Sequence, residues 1–85
     1  MDKIVASFPK NAYEEVRIQV KEYRGHNLID LRIWTDVKNQ PERIPTQKGI
    51  SINVAHFPEL KKAVLELERV LVAEDLLAKE ETGGK

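Results

Sequence analysis

Polar and apolar residues alternate along 14–23. Val16, Ile18 and Val20 fall on one side; Arg17, Gln19, Lys21 and Tyr23 fall on the other. A period of two predicts a strand with one face buried and one wet. Residues 28–35 alternate again. Ile29, Leu31, Ile33 and Thr35 form one set, and Leu28, Asp30, Arg32 and Trp34 form the other. Arg24-Gly25-His26-Asn27 between them is turn chemistry, with Gly25 free to take positive φ. The two strands therefore make a hairpin with an aliphatic face and a polar-aromatic face.

The flanking segments complete the sheet. KIVASF (3–8) ends at Pro9 and reads as an edge strand, because proline cannot donate to a ladder. Residues 36–45, DVKNQPERIP, read as a long loop, with two prolines breaking any regular pattern. TQKGISI (46–52) reads as a last strand. Ile50 and Ile52 join the aliphatic face there, and Gly49 marks a bulge or a close backbone approach.

The period then changes. Asn53 is a good helix N-cap, and a regular helix is expected from Pro58 to Lys79 after a short turn. At 100° per residue, Phe57, Leu60, Ala63, Val64, Leu67, Val70, Leu71 and Leu77 cover one broad arc, expected to be core. Leu65, Val72 and Leu76 form a second, narrower stripe on the opposite side. A sheet covers only one helix face, so this stripe asks for another partner. A second copy of the chain is the cheapest candidate, which makes the three residues a predicted homodimer contact.

Composition narrows the classes. Eighty-five residues make one domain, expected over 1–80, with 81–85 as a flexible C-terminal tail. Zero cysteines exclude a disulfide scaffold and a thiolate zinc site. No apolar run approaches the roughly 20 residues of a membrane helix, and no signal peptide is visible. A cytoplasmic protein is expected, with no membrane partner. Net charge is zero, but residues 1–52 hold nine Lys/Arg against seven Asp/Glu, while 53–85 hold five against seven. That asymmetry allows an anionic partner for the first part.

Catalytic chemistry finds no constellation. His26 and His56 are lone histidines without a second ligand at metal spacing. Ser7 and Ser51 lack a nucleophile context, and Glu14-Glu15 point to opposite sides of a strand. No enzyme activity, cofactor or metal is expected. The polar sheet face offers more. Arg17, Lys21 and Arg32 suit phosphates, and Tyr23 and Trp34 suit stacking. Positive charge beside flat aromatic surface is how single strands are held without sequence preference. Arg24, His26, Lys48 and Lys38 extend the charge around the rim. The plain alternative is that an antiparallel sheet needs a wet face anyway. Trp34, the only tryptophan, weighs against it, since a merely wet face has no use for one.

The order VKEYRGHNLIDLRIW, a loop, KGISIN and a C-terminal amphipathic helix resembles the transcriptional positive cofactor four family over residues about 14–77. The resemblance implies an α+β fold: a curved four-stranded antiparallel sheet followed by one helix, assembled as a homodimer. It also implies single-stranded DNA as the ligand, with RNA left open, and a setting in transcription regulation or DNA repair. Lys21, Tyr23, Arg24, His26, Arg32 and Lys48 match the family's basic or aromatic binding positions. Thr35 takes the place of the family's outward tryptophan, with Trp34 beside it. Lys48 falls by parity on the aliphatic face and needs a bulge at Gly49 to reach the other. A short, bacterial-type member is implied. The competing expectation is a protein-interaction module that docks a transcription partner, supported by the zero net charge.

Overall fold

The computed structural model describes residues 1–78, so the expected tail at 81–85 lies outside the described residues. Four antiparallel strands run in the order β1-β2-β3-β4: β1 (Lys3–Pro9), β2 (Glu14–Tyr23), β3 (His26–Thr35) and β4 (Ile44–Asn53). One 3-10 turn (Val54–His56) and one helix, α1 (Phe57–Ala73), follow. The chain divides into two compact units, a sheet unit of Met1–Val54 and a helical unit that begins at Ala55.

The hairpin is tighter than the sequence suggests. Tyr23 pairs with His26, so Arg24 and Gly25 alone make the turn, with φ of 52° and 81°. Two successive positive φ values belong to the turn whose twist matches the strands. Every pair from Glu14↔Thr35 to Tyr23↔His26 is in register. Arg17 therefore faces Arg32, and Lys21 faces Leu28, on the polar side; Val16, Ile18 and Val20 face Ile33, Leu31 and Ile29 on the other. β1 is an edge strand, as expected, with a bulge between Ile4 and Ala6.

β4 starts earlier than expected, at Ile44, and is irregular. Pro45 pairs with Trp34 and Gly49 with Arg32, so Thr46, Gln47 and Lys48 all stand opposite Ile33. Thr46 repairs the ladder: its hydroxyl donates to the Ile33 carbonyl at 2.8 Å and accepts from the Lys48 amide at 3.1 Å. Gly49 is a close approach. A Cβ there would lie 2.8 Å from the Arg32 Cα and nearer still to the Leu31 carbonyl. The long loop is pinned by Arg43, which donates to Asp36 at 2.8 Å, Glu15 at 3.0 Å and the Ala12 carbonyl at 3.3 Å.

The helix is shorter than its apolar periodicity. His56, not Asn53, is the N-cap, and it makes no side-chain cap bond. Asp75, with φ of 61°, ends the helix. Its amide bonds the Val72 carbonyl at 3.1 Å, and the Leu76 amide bonds that of Leu71 at 2.8 Å. This is the paired closure of a Schellman motif, which satisfies the last orphan carbonyls. Leu76 thus lies past the helix and does not continue the stripe of Leu65 and Val72. The broad arc is also not closed core in the isolated chain. Phe57, Val64, Leu67 and Val70 are 40–55% exposed, as are Ile4 and Phe8 of β1 and Ile50 of β4 at about half. Among the described residues the one buried residue is Asp30.

A candidate nucleic-acid groove on the polar face

An open groove of about 640 Å³ crosses the polar face of the sheet unit from the end of β2 to β4. Lys21, Glu22 and Tyr23 line it from β2, Leu28, Asp30 and Arg32 from β3, and Pro45, Thr46, Gln47 and Ser51 from β4. Strand parity and register explain the convergence: Lys21↔Leu28 and Asp30↔Ser51 are paired residues of one face. The bulge in β4 adds Thr46 and Gln47, which parity alone cannot place.

Tyr23 is the open aromatic. It is 59% exposed at the hairpin end, with the Arg24 guanidinium over its ring at 5.1 Å from the centroid. Arg24 holds this place from a left-handed backbone conformation that non-glycine residues seldom take. Lys21 is exposed and makes no ion pair among the described residues. His26 is exposed across the strand pair from Tyr23.

The arginines on this face are already engaged. Arg17 pairs with Glu15 and lies 4.0 Å over the Trp34 ring. Trp34 is consequently half-buried, with its indole Nε1 shielded and without a partner, and is not an open platform. Arg32 pairs with Asp30, donating from Nε at 3.2–3.3 Å and from Nη2 at 3.0 Å, while its Nη1 donates to the Thr46 carbonyl at 3.0 Å. The bonds to Asp30, and then its carboxylate charge, hold the Arg32 pKa above the ordinary arginine value against the cost of burial. The hydrogen bond from Arg17, with its charge and those of Arg43, holds Glu15 below the ordinary carboxylate value.

Lys48 does not reach the groove. The bulge lies before Gly49, at 46–48, and brings Thr46 and Gln47 round instead. The Lys48 charge acts on Glu14, whose pKa is lowered mainly by hydrogen bonds from Asn11 and Lys10 and in small part by Lys48. Of the eight residues singled out in the sequence, Lys21, Tyr23 and Arg32 share the groove. Arg24 and His26 flank Tyr23, Arg17 and Trp34 form a separate stack, and Lys48 lies elsewhere. Asp30, Thr46, Gln47 and Ser51 were not singled out. In the sequence, a lone aspartate on a wet face looks like one more solvated side chain until its depth is known.

The family described as Transcriptional Coactivator p15 (PC4) matches residues 10–63, which hold the hairpin, the bulged strand and the first turns of α1. The chain belongs to this family. Two crystal forms of a PC4 homologue from Burkholderia pseudomallei K96243 share 28% identity with it, at TM-scores of 0.71 and 0.70. The matches cover 80% of this chain and 90% and 98% of those chains. A bacteriophage T5 homologue of the eukaryotic coactivator PC4, implicated in recombination-dependent DNA replication, shares 26% identity at a TM-score of 0.63. That match covers 100% of this chain and 97% of the phage chain. The PC4-like fold of four antiparallel strands and one helix is thus common to bacterial and phage relatives.

Proposed function

We propose that this PC4-family chain binds single-stranded DNA with little sequence preference along the polar sheet face, as a homodimer. One observation carries the reading: an exposed Tyr23 ring, a free Lys21 and the Arg32 guanidinium share one open groove. A ring open to stacking suits unpaired bases of any kind, and a duplex keeps its base faces covered. The phage relative's part in recombination-dependent DNA replication supports a setting where single strands are exposed, in transcription regulation or DNA repair. RNA offers the same phosphates and flat bases and is the second ligand to try. The protein acts by binding alone, without catalysis, in the cytoplasm.

The homodimer reading rests on exposed apolar surface. Phe57, Val64, Leu65, Leu67 and Val70 of α1 are 40–55% exposed in the isolated chain. Burying the exposed half of such side chains contributes roughly 1 kcal/mol each.

A competition assay tests the ligand class. Labelled oligo-dT is displaced by unlabelled oligo-dT and oligo-dC of equal length, and poorly by duplex of that length. Equal displacement by duplex contradicts the reading. A second reading, a protein-docking module, draws on the internal pairing of Arg17, Arg32 and Arg43 with acids, which leaves little free positive charge. Partner capture that survives nuclease treatment, with no oligonucleotide binding, would favour it.

A further inference from the structure

Asp30 is 2% exposed on the face of the sheet that is otherwise wet. A carboxylate is not buried there for solubility, and burial costs free energy unless the charge is met. Arg32 meets it with three hydrogen-bond contacts from Nε and Nη2. The same guanidinium reaches across to the Thr46 carbonyl in the bulge of β4. A guanidinium has five N–H donors in one rigid plane. Nε spends its single donor on Asp30, Nη2 spends one there, and Nη1 spends one on Thr46. One N–H on Nη1 and one on Nη2 remain, in a plane fixed at two ends.

We infer that Asp30 is a positioning residue for the single-strand site: it makes Arg32 a fixed, charge-compensated donor for the edge of a base, not a phosphate ligand. The inference rests on the single-strand reading of the groove. Phosphate attraction needs net positive charge, and the Asp30–Arg32 pair has none to offer at a distance. What the pair offers is direction. One fixed donor fits an acceptor atom on the edge of a flat base, such as a carbonyl oxygen of thymine, and every base carries such an acceptor. The exposed Tyr23 ring in the same groove offers the face on which that base stacks. The phosphate charge is left to Lys21 and Arg24, which no acid meets among the described residues.

The salt dependence of oligo-dT binding separates the two roles. Each phosphate contact to a single strand contributes about −0.7 to the slope of log K against log salt. Asp30→Asn unmasks the Arg32 charge and loosens its plane. The slope should steepen by about 0.7, and binding at high salt should weaken roughly threefold or more. The neutral double variant D30N/R32Q should keep the wild-type slope while affinity falls about tenfold. A double-variant slope shallower by about 0.7 would show that Arg32 was a phosphate ligand and overturn the inference. So would a folded D30N protein with wild-type affinity and slope.

Nitrogen-15 NMR of the wild-type protein needs no variant, so it decides the matter even if both variants fail to fold. The Arg32 Nε–H signal should be sharp, slow to exchange with water, and retained when oligo-dT is bound. Its loss on binding would mean that Arg32 leaves Asp30 for a phosphate. A wild-type protein that binds no oligo-dT would defeat the single-strand reading itself, and this one with it.

Discussion

Tyr23 and Trp34 show how two aromatics on one sheet face come to different roles. Tyr23 stands at the hairpin end, 59% exposed, while Arg17 lies 4.0 Å over the Trp34 ring. Stacking on an open ring contributes about 1–3 kcal/mol per base. Tyr23→Ala should therefore weaken oligo-dT binding about tenfold with an unchanged melting temperature. Trp34→Phe should change binding little, read by anisotropy of a labelled oligonucleotide. Arg32→Ala belongs with these residues but acts on stability. It strands the Asp30 carboxylate without a partner, and a urea melt should show a loss of about 3 kcal/mol. Parity in the sequence was enough to put Tyr23, Lys21 and Arg32 on one face. It was silent on depth, so it could not separate the half-buried Trp34 from the exposed Tyr23, nor Asp30 in the groove from a solvated aspartate. Depth comes from neighbouring strands, and those are set by register.

At the scale of elements, the hairpin was legible because two signals agreed: two alternating runs and Gly25 between them. The fourth strand was half legible. Gly49 announced a close approach, and the structure puts the Arg32 Cα 2.8 Å from where a Cβ would sit. Gly49→Ala should force β3 and β4 apart and lower the melting temperature by several degrees, with oligo-dT affinity falling as the groove wall moves. The bulge at 46–48 was not legible, since nothing in TQK marks three residues that oppose one. The helix was overextended in the sequence reading because apolar spacing runs on past Ala73, while Asp75 does in a left-handed conformation what glycine usually does. The loop makes its own prediction. Glu15, which holds both Arg17 and Arg43, has a lowered pKa. A carboxylate whose pKa is lowered in the folded state stabilises it above the ordinary carboxylate value, and that stability is lost as pH falls through the folded pKa. Below about pH 4 the loop should loosen. In Glu15→Gln that acid-dependent change should be smaller, as read by amide exchange of residues 36–43.

For the whole molecule, the chain alone leaves much apolar surface in water, from Phe8 in β1 to Leu67 and Val70 in α1. The proposed homodimer would cover that surface, and light scattering after size exclusion should then report twice 9.8 kDa. Leu65→Lys should lower that mass towards one chain, because a charge in an apolar contact costs several kcal/mol. Leu76, past the end of α1, should matter less than Leu65. The balance of charge gives the account its quantitative signature. Acids meet Arg17 and Arg32 on the polar face, so among the described residues Lys21 and Arg24 remain to neutralise phosphates around the groove. Two such contacts per chain give a salt slope of about −1.4 per groove, shallow for a nucleic-acid binder. The central claim is that this face holds single strands, and titration of labelled oligo-dT with the wild-type protein, followed by anisotropy at several salt concentrations, tests it most directly. The account predicts saturable binding at low salt that weakens with a slope near −1.4 per groove. The absence of any saturable signal at low salt would contradict it.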